Sequence, residues 1–229
     1  MQPSPSLEEL YARLRSHFGF LNWWPGETKT EIIAGAVLTQ NTAWRNVEKA
    51  IKNLKEKKLL SLEALASAST AEIEKAIKPS GFYRQKAERL KGLFKYIKEN
   101  YGSLNKFFSK GKDELRNELL SLKGIGRETA DSIILYAAEK PTFVIDTYTR
   151  RVMHRVYMLD ENMDYDKLKA YFEERLDRDL NLYKDFHAQF VELAKRHCRK
   201  KPECAACPLN DVCRYAAKKI KKEKPNGKV

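Results

Sequence analysis

Apolar residues recur at three- and four-residue intervals along almost the whole chain, while alternating β-branched runs are scarce and short. That period places apolar side chains on one face of a helix and predicts an all-α protein. The expected helices are Leu7 to Phe18, Thr28 to Leu54, Ala71 to Ile77, Gly81 to Tyr101, Lys112 to Leu120, Arg127 to Ala138, Thr147 to Leu159, Asp164 to Arg178 and Leu182 to His197. The second is expected to break near Asn41, because "TQNT" is poor in helix formers. Pro25-Gly26, Pro79-Ser80-Gly81, Gly102-Ser103 and Pro141 punctuate the chain as helix stops and starts. No fixed-period repeat is present, and the only biased segment is the tail "KKIKKEKPNGKV", expected to fray and to offer a weak phosphate contact.

The segment "LKGIGRETADSIILYA", Leu122 to Ala137, interrupts this helical pattern with two glycines around one isoleucine. A helix on each side and Gly124-Ile125-Gly126 between them make a helix-hairpin-helix. Glycine permits positive φ and lets another backbone come close, while Ile125 can plug the gap between the helices. Amides at the start of the second helix can hold a phosphate oxygen, and Lys123 and Arg127 flank them. A dinucleotide fingerprint is excluded, since Thr129 stands at the third glycine position and no strand precedes the turn.

Charge sharpens this reading. Lys and Arg number 44 against 31 Asp and Glu, a formal net charge of +13, which is the footprint of a polyanion binder and points first to nucleic acid. A solubilising surface rich in ions of both signs would not produce that imbalance. With 229 residues and 42% hydrophobic content the chain can bury one large or two small cores. No secretory pattern is seen at the N-terminus and no apolar run approaches a bilayer span, so a cytoplasmic location is expected.

Downstream, "FVIDTYTRRVMHRV" sets a short extended piece, Phe143 to Ile145, before Asp146 at the start of a helix. An Asp there is ordinarily an N-cap. Its place shortly after a phosphate-gripping hairpin puts the carboxylate within reach of a nucleic-acid backbone. All four cysteines, Cys198, Cys204, Cys207 and Cys213, fall in one C-x5-C-x2-C-x5-C run. Such a run suits tetrahedral zinc or a [4Fe–4S] cluster, and spacing alone does not choose. Arg199, Lys200 and Lys201 lie between the first two cysteines and would form a basic loop held by the metal.

Taken together, "LKGIGRETA", "VIDTYTRRV", "AVLTQNT" and the cysteine run resemble the endonuclease III superfamily of helix-hairpin-helix DNA glycosylases, in order and over nearly the whole chain. Within it, "WWP" at Trp23 to Pro25, "AVLTQNT", "PSGFYRQKA" and "GIGRETAD" look most like the 3-methyladenine DNA glycosylase III branch. The resemblance implies two α-helical domains: residues 29–138 as a central helical barrel containing the hairpin, and residues 1–28 with 139–229 as a discontinuous domain carrying Asp146 and the cysteines. It favours [4Fe–4S] over zinc at Cys198, Cys204, Cys207 and Cys213. This chain's first cysteine spacer has five residues where the family usually has six, and the branch it most resembles is typically without a cluster.

The resemblance implies a base-excision enzyme acting on double-stranded DNA with a damaged base, with no membrane and as a monomer. Asp146 would be the catalytic carboxylate, Gln40 the wedge in the duplex, and Lys123 to Arg127 with Arg199 to Lys201 the backbone contacts. Phe82 would press on the opposite strand, although a core position is the stronger expectation for it. Trp23, Trp24, Trp44 and Glu128 would lie around the extruded base, with at least one of the adjacent tryptophans in core packing; Glu128 would orient water or contact the base, a structural role being the stronger expectation for it. Endonuclease III proper carries a lysine where Glu128 stands, and a carboxylate cannot form an imine; hydrolysis without strand cleavage follows. An alkylated purine such as 3-methyladenine suits an indole-walled pocket because its positive charge is attracted to the ring faces. Competing readings are an AP lyase or a glycosylase for oxidised, uracil or mismatched bases, and a non-catalytic iron–sulfur DNA-binding protein.

Overall fold

The computed structural model describes residues 5–223, with side chains described through Lys219, and is helical, with no strand among the described residues. It divides into two compact units, Trp24–Thr142 and Met1–Trp23 with Phe143–Val229. The boundaries fall after Trp23 and Thr142 rather than at the expected 28 and 138. Trp24 packs on its own unit's Trp44 and Tyr136, and the Thr142 hydroxyl reaches the Asp131 carboxylate at 3.5 Å.

In the unit Trp24–Thr142, helix α2 (Lys29–Leu38) is preceded in the chain by α1 (Leu7–Phe18) of the other unit and followed by α3 (Trp44–Glu56). The sequence "KTEIIAGAVL" is apolar on nearly every face, and α2 is accordingly buried almost all round. The expected break near Asn41 is present, with Asn41 at φ 53° between the two helices. Then come α4 (Leu62–Ser67), α5 (Thr70–Ile77) and a short 3₁₀ turn, Lys78–Ser80. Next are α6 (Tyr83–Tyr101), α7 (Leu104–Phe108), α8 (Lys112–Ser121) and α9 (Arg127–Ser132). Helices α4 and α7 were not expected; each is a turn or so long and starts at a capping serine, Ser61 and Ser103, whose hydroxyls accept the amides of Ala64 and Lys106. The helix expected through Ala138 widens after Ser132, where Ile133–Ala137 form a π-type turn closed by Ala138 N–H donating to Ile133 O at 2.9 Å. One continuous core, from Ile33 on α2 through Phe94 on α6 to Ile134, holds these elements together.

The other unit packs α1 on α12 (Leu180–Arg196), and α12 on α10 (Thr147–Tyr157). Helix α11 (Tyr165–Glu173) lies between α10 and α12 in the chain, and α13 (Arg214–Glu223) packs on α10. Its core is aromatic: Phe143 stacks on Phe172 with ring centroids 4.0 Å apart, and Phe186 stacks on Phe190 at 4.7 Å. The lysine-rich tail corrects expectation in part, because α13 carries helix as far as Glu223; residues 224–229 of that tail lie outside the described residues.

Candidate DNA-processing site

The hairpin forms as its sequence requires. Gly124 has φ 83°, a left-handed value that a side chain would strain, and a Cβ there would lie 2.4 Å from Arg89 Nε. Ile125 is buried between the helices. Gly126 is different: its φ is −92°, and a Cβ added there meets nothing within 4 Å. The positive φ that the glycines of this turn could supply is therefore used at Gly124 and not at Gly126. Lys123, Arg127 and Glu128 are exposed, Glu128 on the first turn of α9.

Gln40, at the end of α2, is drawn onto this hairpin. Its amide nitrogen donates to Gly124 O at 3.1 Å and Thr129 Oγ1 at 2.9 Å, while its amide oxygen accepts from Arg89 Nη1. Arg89 was not legible in the sequence as a site residue; it is an ordinary arginine on α6, and only the packing of α6 on the hairpin gives it a role.

Phe82 corrects the core expectation. It is 62% exposed and sits before α6 with φ 45° and ψ 30°, a left-handed conformation uncommon for a bulky residue. Lys86, 1% exposed, donates to Leu38 O at 2.8 Å and Ser80 O at 2.7 Å. Its ammonium therefore ties the end of α2, next to Gln40, to the turn that presents Phe82. Burial, with Arg89 nearby, lowers the Lys86 pKa to about 8.

The three tryptophans are divided between the two units. Trp24 meets Trp44 edge to face, with centroids 5.3 Å apart, and lies against Tyr136 at 5.2 Å. Its indole approaches Gly35 so closely that a Cβ there would be 3.1 Å from the ring. Trp24, Trp44, Glu31 and Glu48 line one cleft of about 300 Å³. Trp23 falls in the other unit, under the Lys195 ammonium at 5.4 Å from its ring centroid.

Asp146 is the N-cap of α10, its Oδ1 accepting the Thr149 amide at 2.7 Å. Its side chain is only 13% exposed, and Oδ2 lies 3.6 Å from Nε2 of the buried His187 on α12. Burial pushes its pKa up, but His187 and the Thr149 amide outweigh that effect, so the carboxyl titrates below its usual range and is ionised at neutral pH. His187 was missed by sequence reasoning: a lone histidine on an apolar helix face carries no signal of its own.

Cys198, Cys204, Cys207 and Cys213 line a single small cavity. Burial pushes the Cys207 thiol up to about 12 and raises Cys213, with the neighbouring thiols adding to both. Among the described residues no group of three or more Cys, His, Asp or Glu side chains is arranged as a single-ion site. The donor set, four soft sulfurs around one space, fits a thiolate-bound metal group. Two arginines of α10 staple the loop: Arg151 Nε donates to Cys198 O at 2.7 Å, and Arg155 Nη1 donates to Arg199 O at 2.6 Å and to Cys198 Sγ at 3.3 Å. Arg199, Lys200 and Lys201 are exposed, with Arg199 also bonded to Glu203 at 3.1 Å.

The sequence matches the family described as HhH-GPD superfamily base excision DNA repair protein over residues 34–178. A protein of Methanocaldococcus jannaschii carrying the provisional name of DNA repair glycosylase is 45% identical over 90% of this chain and 94% of its own length. Endonuclease III of Thermotoga maritima is 32% identical over 85% of this chain and 87% of its own. The crystal structure of H. pylori 3-methyladenine DNA glycosylase (MagIII) bound to 1,N6-ethenoadenine superposes with a TM-score of 0.73 at 31% identity, covering 84% of this chain and 98% of that one. An endonuclease III–DNA complex shares the fold, with a TM-score of 0.81 at 22% identity over 96% of this chain and 100% of that one. The chain belongs to the HhH-GPD superfamily of base excision DNA repair proteins and is a DNA glycosylase.

Proposed function

We propose that this glycosylase removes an alkylated purine such as 3-methyladenine by hydrolysis and leaves an abasic site without cutting the strand. The observation that carries the reading is the Asp146 carboxylate: nearly buried, ionised, and fixed at the start of α10 beside His187. As the bond from the base to the sugar C1′ lengthens, positive charge develops on the sugar. A carboxylate shielded from bulk water stabilises that charge and accepts a hydrogen bond from the incoming water. The water oxygen bonds to C1′, its proton passes through Asp146 toward solvent, and the base leaves with the electron pair of the broken bond. An alkylated purine begins with a positive charge and departs neutral, which makes it a good leaving group.

Other residues of this chain support the same reading. Lys123, Gly124 and Arg127 would hold the DNA backbone, with Ile125 keeping the hairpin packed; Arg199, Lys200 and Lys201 would add contacts from the cysteine loop. Gln40 would enter the duplex, and Phe82, exposed and rigidly presented, would press on the opposite strand. The indoles of Trp24 and Trp44 offer apolar faces to a cationic base, worth about 0.5–2 kcal/mol. The likeness to MagIII bound to an ethenoadenine base points the same way. Glu128 supplies no amine for covalent attack. The four cysteines would hold a [4Fe–4S] cluster, as the endonuclease III resemblance implies, and the cluster would supply rigidity to the basic loop. The second reading is an endonuclease III-type glycosylase and AP lyase, or a glycosylase for oxidised, uracil or mismatched bases; the 32% identity to T. maritima endonuclease III favours the former.

The test is a panel of duplexes bearing one lesion each, with products resolved before and after alkali. Base release from methylated purines, with strand breaks only after alkali and no adduct trapped by borohydride, is expected. Release from thymine glycol or uracil alone, or a trapped adduct, would overturn the proposal.

A further inference from the structure

The three residues that lead into Asp146 are buried and outside any helix or sheet. Their amides must therefore find other partners. The Phe143 amide donates to Glu173 Oε1 at 2.8 Å, and the Ile145 amide donates to the Tyr165 hydroxyl at 3.3 Å. Both acceptors belong to α11, one at each end of the helix. The buried Lys169, on the same helix, places its ammonium 2.6 Å from the Glu173 oxygen that accepts the amide, which offsets the charge of this partly buried carboxylate. The ring of Phe172, next to Glu173, stacks flat on Phe143 at 4.0 Å with an interplanar angle of 7°. Thus α11 grips this segment by two side-chain acceptors and one stacked ring, and Asp146 is the next residue along it.

We propose that Glu173 and Tyr165 are positioning residues that set the place of the Asp146 carboxylate. The inference rests on the reading of Asp146 as the catalytic carboxylate. A ladder of backbone hydrogen bonds would spread this task over many groups, whereas the described amide bonds of Phe143 and Ile145 end on side chains. Loss of either frees one end of the segment. Asp146 then leaves its bond to the Thr149 amide and its place beside His187, and an error of about 1 Å in a reacting group costs on the order of a hundredfold in rate.

The test compares Glu173→Leu, Glu173→Gln and Tyr165→Phe with the wild type and Asp146→Asn. The glutamine keeps a carbonyl oxygen to accept the Phe143 amide while losing the charge; phenylalanine keeps the ring and loses only the hydroxyl. Two readouts are taken on the whole protein, with affinity for a duplex containing a tetrahydrofuran abasic analogue as the control: single-turnover base release on whichever duplex of the lesion panel loses its base fastest to the wild type, and hydrogen exchange at the Thr149 amide. Expected are a fall in turnover of roughly ten- to a hundredfold for Glu173→Leu and about tenfold for Tyr165→Phe, at unchanged affinity. Thr149 exchange should quicken in both, and both readouts should return toward wild type in Glu173→Gln. If Glu173→Leu fails to fold, Tyr165→Phe carries the same comparison. Wild-type turnover and exchange in the folded variants would overturn the inference, as would a Glu173→Gln protein as slow as the leucine variant. Full base release by Asp146→Asn, or none by the wild type on any duplex, would instead overturn the proposed function. The exchange measurement needs no substrate and decides the positioning in either case.

Discussion

Replacing Gly124 or Gly126 by alanine separates what the fold needs from what DNA needs. At Gly124 the added Cβ meets two obstacles. The backbone is at φ 83°, where an L-residue costs about 1–2 kcal/mol. The Cβ would also fall 2.4–2.7 Å from Nε, Cδ and Cγ of Arg89, so the whole outer half of that side chain must swing away. Arg89 then gives up its charge-assisted bond to Gln40, worth about 1.5–3 kcal/mol where buried and less at this half-exposed position. Gly124→Ala should thus lose about 2–4 kcal/mol. Gly126→Ala meets no atom and no left-handed backbone and should remain within about 0.5 kcal/mol of wild type. Urea denaturation followed by tryptophan fluorescence gives both values. The Gly126 glycine would then be present for the approach of a phosphate, and the alanine should weaken binding to undamaged duplex by about tenfold. Equal stability of the two variants would refute the reasoning, as would a Gly126→Ala protein that binds DNA normally.

Phe82→Gly should stay within about 1 kcal/mol of wild-type stability, since relief of the left-handed strain offsets glycine's entropy and the exposed ring buries little; it should nonetheless slow base release, and a variant that unfolds contradicts this. Asp146 titrates lower in the folded state than the unfolded value of about 3.9, so its contribution to stability is complete above about pH 4 and disappears as pH falls through the folded value. The stability difference between wild type and Asp146→Asn should accordingly be constant at neutral pH and shrink in acid, as read by urea midpoints at several pH values. Iron and sulfide analysis of anaerobically purified protein should find about four of each per chain, against one zinc for the alternative metal.

Much of the architecture can be read along the chain because amphipathic stripes persist for several turns in α1, α3, α6, α10 and α12. The break at Asn41 is marked by poor helix formers, and the capping role of Asp146 by its residue type. Where repetition is short, the signal is lost: α4 and α7 have six and five residues. The widened turn after Ser132 needs no special residue and leaves no mark. At the site, local chemistry reveals the hairpin and the cysteine run, but not partners recruited from distant helices. Arg89 and His187 lie 49 residues from Gln40 and 41 from Asp146 along the chain, and only packing within each unit makes them neighbours. Phe82 misleads for the converse reason: its apolar ring suggests burial, whereas its backbone turns it to solvent. Trp23 and Trp24 belong to different units, a boundary that adjacency in sequence conceals.

The proposed base release depends on the carboxylate of Asp146. Single-turnover release of free base from a methylated duplex, measured for wild type and Asp146→Asn at matched occupancy of DNA, should show a loss of about a hundredfold or more in the variant with affinity retained. An asparagine variant that releases base at near the wild-type rate would contradict it.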